Sequence, residues 1–139
     1  MPLFVKIVGI IVISYLLGGL SFGWIVARMK GVNILEKGSG NPGFTNAWRT
    51  LGMKTALLVL FGDAFKGFLA VLIGAKIDGD LGMMVAFVMV IIGHSFSYMI
   101  HFKGGKGIAT AAGALLYISP ATLIALAFIV LGVLQNICH

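Results

Sequence analysis

The sequence predicts an all-α fold, a polytopic helical bundle spanning a membrane as a single domain over residues 1–139. Three observations carry that expectation. The 139 residues are 60% hydrophobic and 10% charged, against roughly 45 to 50% apolar and 25% charged in ordinary soluble domains, and the mean hydropathy is +1.09. Four apolar stretches, residues 7–26, 56–75, 82–100 and 108 to about 133, approach or exceed the roughly 20 residues a helix needs to cross a bilayer. Most charges and two Gly-rich segments fall between these stretches, where irregular backbone has to sit because hydrocarbon offers it no hydrogen-bond partner.

The first stretch follows Lys6, ends at Arg28 and Lys30, and lacks a small-residue cleavage site after its apolar core, so it reads as a retained span and not a signal peptide. Its Gly19 and Gly23 form G-x-x-x-G, a close helix-packing surface. The second stretch carries Asp63 and Lys66 on one helix face. Charges inside a membrane cost from about 2.5 kcal/mol upward and face a bundle interior or an aqueous cavity. A structural ion pair and a supporting role in a site both fit these two, and Asp63 reads as an organiser of a cation, not as a general base. The third stretch ends in His94, Ser95 and Ser97, with His101 just beyond. The fourth is interrupted at Ser119-Pro120. Proline inside a helix removes a backbone bond, but Ser at the N-cap with Pro at the first helical position also starts one. One kinked span and two limbs, 108–118 and 121–133, both remain open.

The net charge of +6 does not mark a nucleic-acid binder, because its cations lie between apolar runs and not on the basic face of a soluble module. It marks topology. Arg28, Lys30, Lys37, Arg49 and Lys54 follow the first span, and Lys103 and Lys106 follow the third, whereas Lys6 and Lys76 fall on the other side with Asp78 and Asp80. Positive charge gathers in cytoplasmic loops, so the Gly-rich segments are expected in the cytoplasm and the N-terminus outside. Cys138 is the only cysteine, which excludes an intrachain disulfide. His94, His101 and His139 have no ligand set beside them in sequence, so neither a metal nor another cofactor is expected.

The chemistry concentrates in Gly38-Ser39-Gly40-Asn41-Pro42-Gly43-Phe44-Thr45-Asn46 with Arg49, and in Lys103-Gly104-Gly105-Lys106-Gly107. Glycines let backbone N–H groups approach an anion, hydroxyls and amides add neutral hydrogen bonds, and Arg and Lys add charge-assisted ones. Thr45, Asn46 and Arg49 fit the first turns of a short helix, with Asn46 and Arg49 on one face. Gly38, Gly40 and Gly43 satisfy G-x-G-x-x-G with Asp63 about 20 residues on, but no buried strand precedes them and Asp63 lies within a span, which rejects a dinucleotide fold. Lys106 fails as a Walker lysine, since Gly107 stands where Ser or Thr is required. A plain membrane turn with cations as anchors would not call for so many polar residues in the first loop, nor for the glycines around Lys106. What is left is a phosphate site at a membrane face.

In order and in detail these residues resemble the bacterial acyl-phosphate:glycerol-3-phosphate acyltransferases. Lys30-Gly31-Val32-Asn33 leading into Gly38-Ser39-Gly40-Asn41, then Gly43, Thr45-Asn46 and Arg49, is similar to the first family motif. Asp63 with Lys66-Gly67 is similar to the next, and Gly93-His94, Phe96 and Phe102-Lys103-Gly104-Gly105-Lys106-Gly107 to the third. The resemblance implies an all-helical enzyme of the bacterial inner membrane that moves an acyl group from acyl phosphate to the 1-hydroxyl of glycerol 3-phosphate, giving lysophosphatidate. It implies that Ser39, Asn41, Thr45, Asn46, Arg49 and Lys106, with the neighbouring glycines, bind the two phosphate groups. Substrate phosphate is then the proton acceptor, with His94 as the alternative base or orienter.

The sequence departs from the family at Phe44, where a small residue is usual, at Pro42, which removes a backbone donor, and at Ser97, where proline is usual. The family's last helices and its C-terminal His/Arg/Asn-bearing motif have no counterpart in these residues, so against the family the sequence reads as C-terminally truncated: a fragment, a truncated gene product, or a half that assembles with complementing helices or another copy. The rival reading is an inactive relative or a small non-enzymatic membrane protein. A proton-coupled exporter, however, is expected to carry a carboxylate in its first span, and residues 7–26 have none. The H-x-x-x-x-D signature of acyl-CoA-dependent enzymes is missing, because Met99 follows His94 at that spacing and Lys106 follows His101. The topology is testable with single cysteines at Ser39, Lys106 and Lys76 in a Cys138→Ser background. An impermeant thiol reagent applied to intact cells should label position 76 alone; labelling at position 39 but not 76 overturns the assignment.

Overall fold

The computed structural model describes residues 1–138; His139 lies outside them, and with it the expectation that it binds no metal. Among the described residues, six α-helices and two short 3-10 turns make an all-helical membrane fold. They are α1 (Leu3–Gly18), α2 (Phe22–Met29), α3 (Phe44–Leu51), α4 (Met53–Ser95), α5 (Ile108–Ile118) and α6 (Pro120–Ile137). Non-helical backbone at Asp78 and Gly79 divides α4 into two limbs, residues 53–77 and 80–95. The Gly74 and Gly82 backbones touch across this turn, so the limbs fold back on each other as a hairpin. Gly79, at φ 57°, takes the left-handed conformation the reversal needs.

The first span is not one helix. It breaks at residues 19–21, between α1 and α2, so Gly19 and Gly23 do not share a packing face as the sequence pattern suggested. A side-chain atom at Gly19 would strike the ring of Tyr98, and one at Gly23 would strike the Pro42 carbonyl. Small-residue packing instead occurs at Gly18 with Gly93, where α1 crosses the second limb of α4, and at Gly67 and Gly113, where the first limb crosses α5. A Cβ added at Gly67 would meet the carbonyl of Thr110, and one at Gly113 the carbonyl of Ala64. Without a hydrophobic drive between helices in lipid, such close backbone approach supplies the packing.

The fourth apolar stretch resolves into two helices. Ser119 caps α6 through its hydroxyl, which accepts from the Thr122 N–H at 3.2 Å, and Pro120 occupies the first turn. The 11-residue α5 is about 16 Å long by the helical rise, too short to cross alone, and it packs along the first limb of α4. By contrast, the 18-residue α6 buries none of its residues.

Two apolar clusters fix the two ends. Ala27, Ile34, Ala47, Ala56 and Val59 seat α3 and the preceding loop against α2 and the first limb of α4. Ile10, Val71, Ala86 and Ala114 join α1, both limbs and α5. At the end away from the Gly-rich loops, Lys6 pairs with Asp78 at 3.5 Å. The crossing at α5 gives a direct test. Gly113→Ala gains helix propensity of about 1 kcal/mol but forces α5 off the Ala64 carbonyl, and overpacking of this kind costs about 1 to 3 kcal/mol. Thermal unfolding in detergent should show a lowered Tm for Gly113→Ala, and an unchanged or raised one for Gly132→Ala, which has open space at its Cβ position. A rise in both would contradict the crossing.

Candidate active site

The 37–41 loop is organised by one side chain. Asn46, on the first turns of α3 and 2% exposed, accepts the Ser39 N–H at 3.0 Å and donates to the carbonyls of Lys37 and Asn41, both at 2.9 Å. Gly40 N–H donates to the Lys37 carbonyl at 2.8 Å, Asn41 N–H to Ser39 Oγ at 3.3 Å, and Gly43 N–H to Asn41 Oδ1 at 2.8 Å. Every backbone donor from Ser39 to Gly43 is therefore engaged within the loop, and Pro42 has none. This corrects the expectation of a backbone cradle here. Gly38 and Gly40, at φ 54° and 75°, serve the loop's turns, while Gly43 is an N-cap of ordinary φ. Asn46 likewise holds the loop, its amide engaged before any ligand arrives.

The second loop is built differently. Gly104 N–H donates to the Ser95 carbonyl at 2.9 Å, and a Cβ at Gly104 would strike the His94 and Ser95 carbonyls. The loop thus lies directly on the end of α4. A Cβ at Gly105 would come to 2.5 Å from His94 Nε2 and 3.3 Å from Asn41 Oδ1, so Gly105 is the point where the two loops meet. Gly107, at φ 80°, turns the chain into α5. His101 and Phe102 precede the loop at φ 55° and 62°, unusual for residues with side chains.

The two loops share one cavity of about 550 Å³. Ser39, Asn41, Gly43, Thr45, Asn46, Arg49, Asp63, His94, Lys106 and Gly107 line it, as do the apolar Phe44, Leu60, Ile108, Ala109 and Ala112. Of the residues singled out from sequence, Gly38, Gly40, Gly104, Gly105 and Lys66 do not line it. The first turns of both α3 and α5 border the cavity, and a helix N-terminus presents unpaired N–H groups and partial positive charge. With both Arg49 and Lys106 lining it, the cavity suits an anion, while its apolar residues suit a hydrocarbon chain.

Beneath the cavity lies a buried charged cluster. Lys66, 1% exposed, donates to the carbonyls of Gly18 at 2.8 Å and Leu20 at 2.7 Å and lies 2.9 Å from His94 Nδ1. Asp63 Oδ1 stands 3.3 Å from Lys66 Nζ and 3.9 Å from His94 Nδ1. It is also the one sealed side-chain polar atom without a hydrogen bond among the described residues. Thr110 Oγ1 approaches His94 Nδ1 at 3.3 Å from α5. Asp63 and Lys66 do share a face, but the lysine also answers the helix break. Ser97 Oγ donates to the Gly19 carbonyl at 2.5 Å, Tyr98 Oη to that of Leu16 and Tyr15 Oη to that of Phe96, both at 2.8 Å, which clamps the end of α4 to the same break. Sequence reasoning missed Thr110, Tyr15 and Tyr98. A threonine in an otherwise apolar helix start was the one available signal.

Known proteins align with this arrangement. The model of the glycerol-3-phosphate acyltransferase family matches residues 8–137. A glycerol-3-phosphate acyltransferase 2 of Moorella thermoacetica is 44% identical over 114 residues, covering 81% of this chain and 59% of that protein. The Bacillus subtilis glycerol-3-phosphate acyltransferase is 42% identical over 126 residues, covering 88% of this chain and 65% of its own length. The crystal structure of PlsY, an integral membrane glycerol 3-phosphate acyltransferase, in its glycerol 3-phosphate form superposes with a TM-score of 0.85 at 37% identity, over 93% of this chain and 66% of that one. Its lysophosphatidic acid form gives 0.82. The chain thus spans about three-fifths to two-thirds of the length of these relatives. With a family match along nearly all its residues and the same fold as a solved member, the chain belongs to the glycerol-3-phosphate acyltransferase family.

Proposed function

We propose that this chain carries the acyl-transfer site of a glycerol-3-phosphate acyltransferase that takes its acyl group from acyl phosphate and delivers it to the 1-hydroxyl of glycerol 3-phosphate, giving lysophosphatidate. The observation that carries the reading is that Arg49 on α3 and Lys106 in the second Gly-rich loop, far apart in sequence, line one cavity with Ser39 and Thr45. Both substrates are phosphate monoanions or dianions, and two cations with two helix N-termini match them. The hydroxyl oxygen attacks the acyl carbon, the bond from that carbon to the phosphate oxygen breaks, and the released phosphate keeps the proton given up by the hydroxyl. Lys106 and Arg49 offset the charge on the leaving phosphate, which lowers the barrier without a strong side-chain base. Leu60, Phe44, Ile108 and Ala112 then face the acyl chain as it enters from the lipid.

Ser39, Arg49, Lys106 and His94 are assigned to the reacting groups, and Asn41 and Thr45 to phosphate. Asn46 and the glycines shape the loops, and Asp63 and Lys66 support His94. The single domain sits in a bacterial inner membrane with both loops in the cytoplasm and the N-terminus outside. Lys6 pairs with Asp78 at the end opposite the cavity, which puts the N-terminus and the turn of the α4 hairpin on one side.

Charge-preserving swaps separate a phosphate site from topological anchors. Arg49→Lys and Lys106→Arg keep the charge, but an Arg fork and a Lys point charge do not substitute for each other at phosphate. Losing one charge-assisted contact of roughly 1.5 to 3 kcal/mol should lower transfer by about one to two orders of magnitude with membrane insertion intact. Gly105→Ala should do comparable damage by pushing on His94 and Asn41. The assay uses purified protein with acyl phosphate and labelled glycerol 3-phosphate; wild-type rates in both swaps would reduce these cations to anchors.

A further inference from the structure

His94 borders the cavity, yet its Nδ1 edge is turned inward, 2.9 Å from Lys66 Nζ and 3.3 Å from Thr110 Oγ1. An ammonium group has three donors and no acceptor. Two of the Lys66 donors meet the carbonyls of Gly18 and Leu20 at 2.8 and 2.7 Å, and carbonyls can only accept. The third has His94 Nδ1 at 2.9 Å and Asp63 Oδ1 at 3.3 Å to choose from, and only the imidazole contact has hydrogen-bond geometry. A nitrogen that accepts from an ammonium holds a lone pair and no proton. In a neutral imidazole the proton then resides on the other nitrogen.

That other nitrogen, Nε2, lies beside Gly105, where the two loops meet. It makes no hydrogen bond to the protein among the described residues, and it is not sealed, since Asp63 Oδ1 is the one sealed and unpartnered side-chain polar atom there. The consequence is an N–H group at the cavity edge with its direction set from behind by a lysine that does not itself reach the cavity. We propose that Lys66 is a positioning residue that fixes His94 as the Nε2–H tautomer, so that His94 donates a hydrogen bond to an anionic substrate oxygen and does not accept the substrate's proton.

This deepens the acyltransferase reading and rests on it for the identity of the oxygen, which belongs either to a bound phosphate or to the carbonyl oxygen that gains negative charge during attack. The same geometry explains why Lys66 is placed where it is. An apolar residue would leave two carbonyls unpaired at the break between α1 and α2 and would leave the imidazole free to choose either tautomer.

The test combines a spectrum with a substitution series, both on the full chain in lipid nanodiscs. With 15N-labelled histidine, the His94 resonances should show a pyridine-type Nδ1 and a pyrrole-type Nε2, and Lys66→Met should replace this pattern with a mixture. A wild-type spectrum with the proton on Nδ1, or on both nitrogens, overturns the proposal. In the acyl-transfer assay, Gln places an amide donor near the Nε2 position, whereas Asn mimics Nδ1. His94→Gln should lose less than about tenfold, and His94→Asn and His94→Ala on the order of a hundredfold, the usual effect of removing one donor to a developing oxyanion. Gln as damaging as Ala would mean that the imidazole takes a proton, and would overturn the donor role. A loss confined to kcat identifies the carbonyl oxygen as the acceptor, and a loss in KM identifies a phosphate oxygen. If wild-type chain transfers no acyl group, the acyltransferase reading fails, but the spectrum still decides what Lys66 does to His94. Should Lys66→Met fail to fold, the wild-type spectrum and the His94 series decide alone.

Discussion

A helix broken inside a bilayer leaves carbonyl groups with no partner, and much of this structure follows from how that demand is met. Between α1 and α2 the carbonyls of Gly18, Gly19 and Leu20 point into the bundle; Lys66 takes the first and last, and Ser97 takes the middle one. Each unpaired polar group in hydrocarbon would cost several kcal/mol, so these three contacts are conditions for the break and not ornaments on it. The break in turn lets α2 run on to place Gly23 against the Pro42 carbonyl, which seats the first Gly-rich loop. A cation that first looks like half of an ion pair is the joint between the first span, the helical hairpin and the cavity floor.

The two polar loops are built by different means around the same cavity. In the first, Asn46 and the side chains of Ser39 and Asn41 engage the backbone donors, so what faces the cavity is side-chain chemistry from Ser39, Thr45 and Arg49. A loop already closed on itself loses little conformational freedom when a ligand binds, which favours affinity through preorganisation. The second loop has fewer internal bonds and is held from below by the end of α4. Its cation is carried close to the start of α5, where the helix dipole adds to the charge of Lys106.

The sequence made the helical class, the first three spans and the shared cavity legible, because each rests on a strong local signal: length of apolar run, charge placement, or Gly-rich chemistry. The pair Asp63 and Lys66 was visible as a pair, since three-residue spacing puts two side chains on one helix face. The contact of Lys66 with Gly18, 48 residues away, was not. Nor was the break at residues 19–21: Gly18-Gly19 and Ser21 weaken the helix locally, but tertiary partners decide the outcome. G-x-x-x-G suggested a helix-packing face for the same reason, as the motif assumes a continuous helix. The direction of the backbone donors in the 38–43 loop was likewise beyond reach, because it depends on Asn46 turning back across seven residues to Ser39.

The glycine crossings have a bearing on motion. Where Gly18 meets Gly93, Gly67 meets Thr110 and Gly113 meets Ala64, main chains touch with no layer of side chains between them. Side chains can exchange rotamers and let helices slide by an ångström; bare backbones in contact have no such bearing surface. These three contacts, two of them within a single crossing, therefore act as fixed rivets, and the α1, α4 and α5 framework admits little adjustment around the cavity. Accommodation falls to the side chains along the cavity wall, those of Phe44, Leu60 and Ile108. In the proposed acyl transfer, a long acyl chain would find its room by running outward between helices into the lipid, so that the membrane itself would complete the binding surface for the hydrophobic half of the substrate.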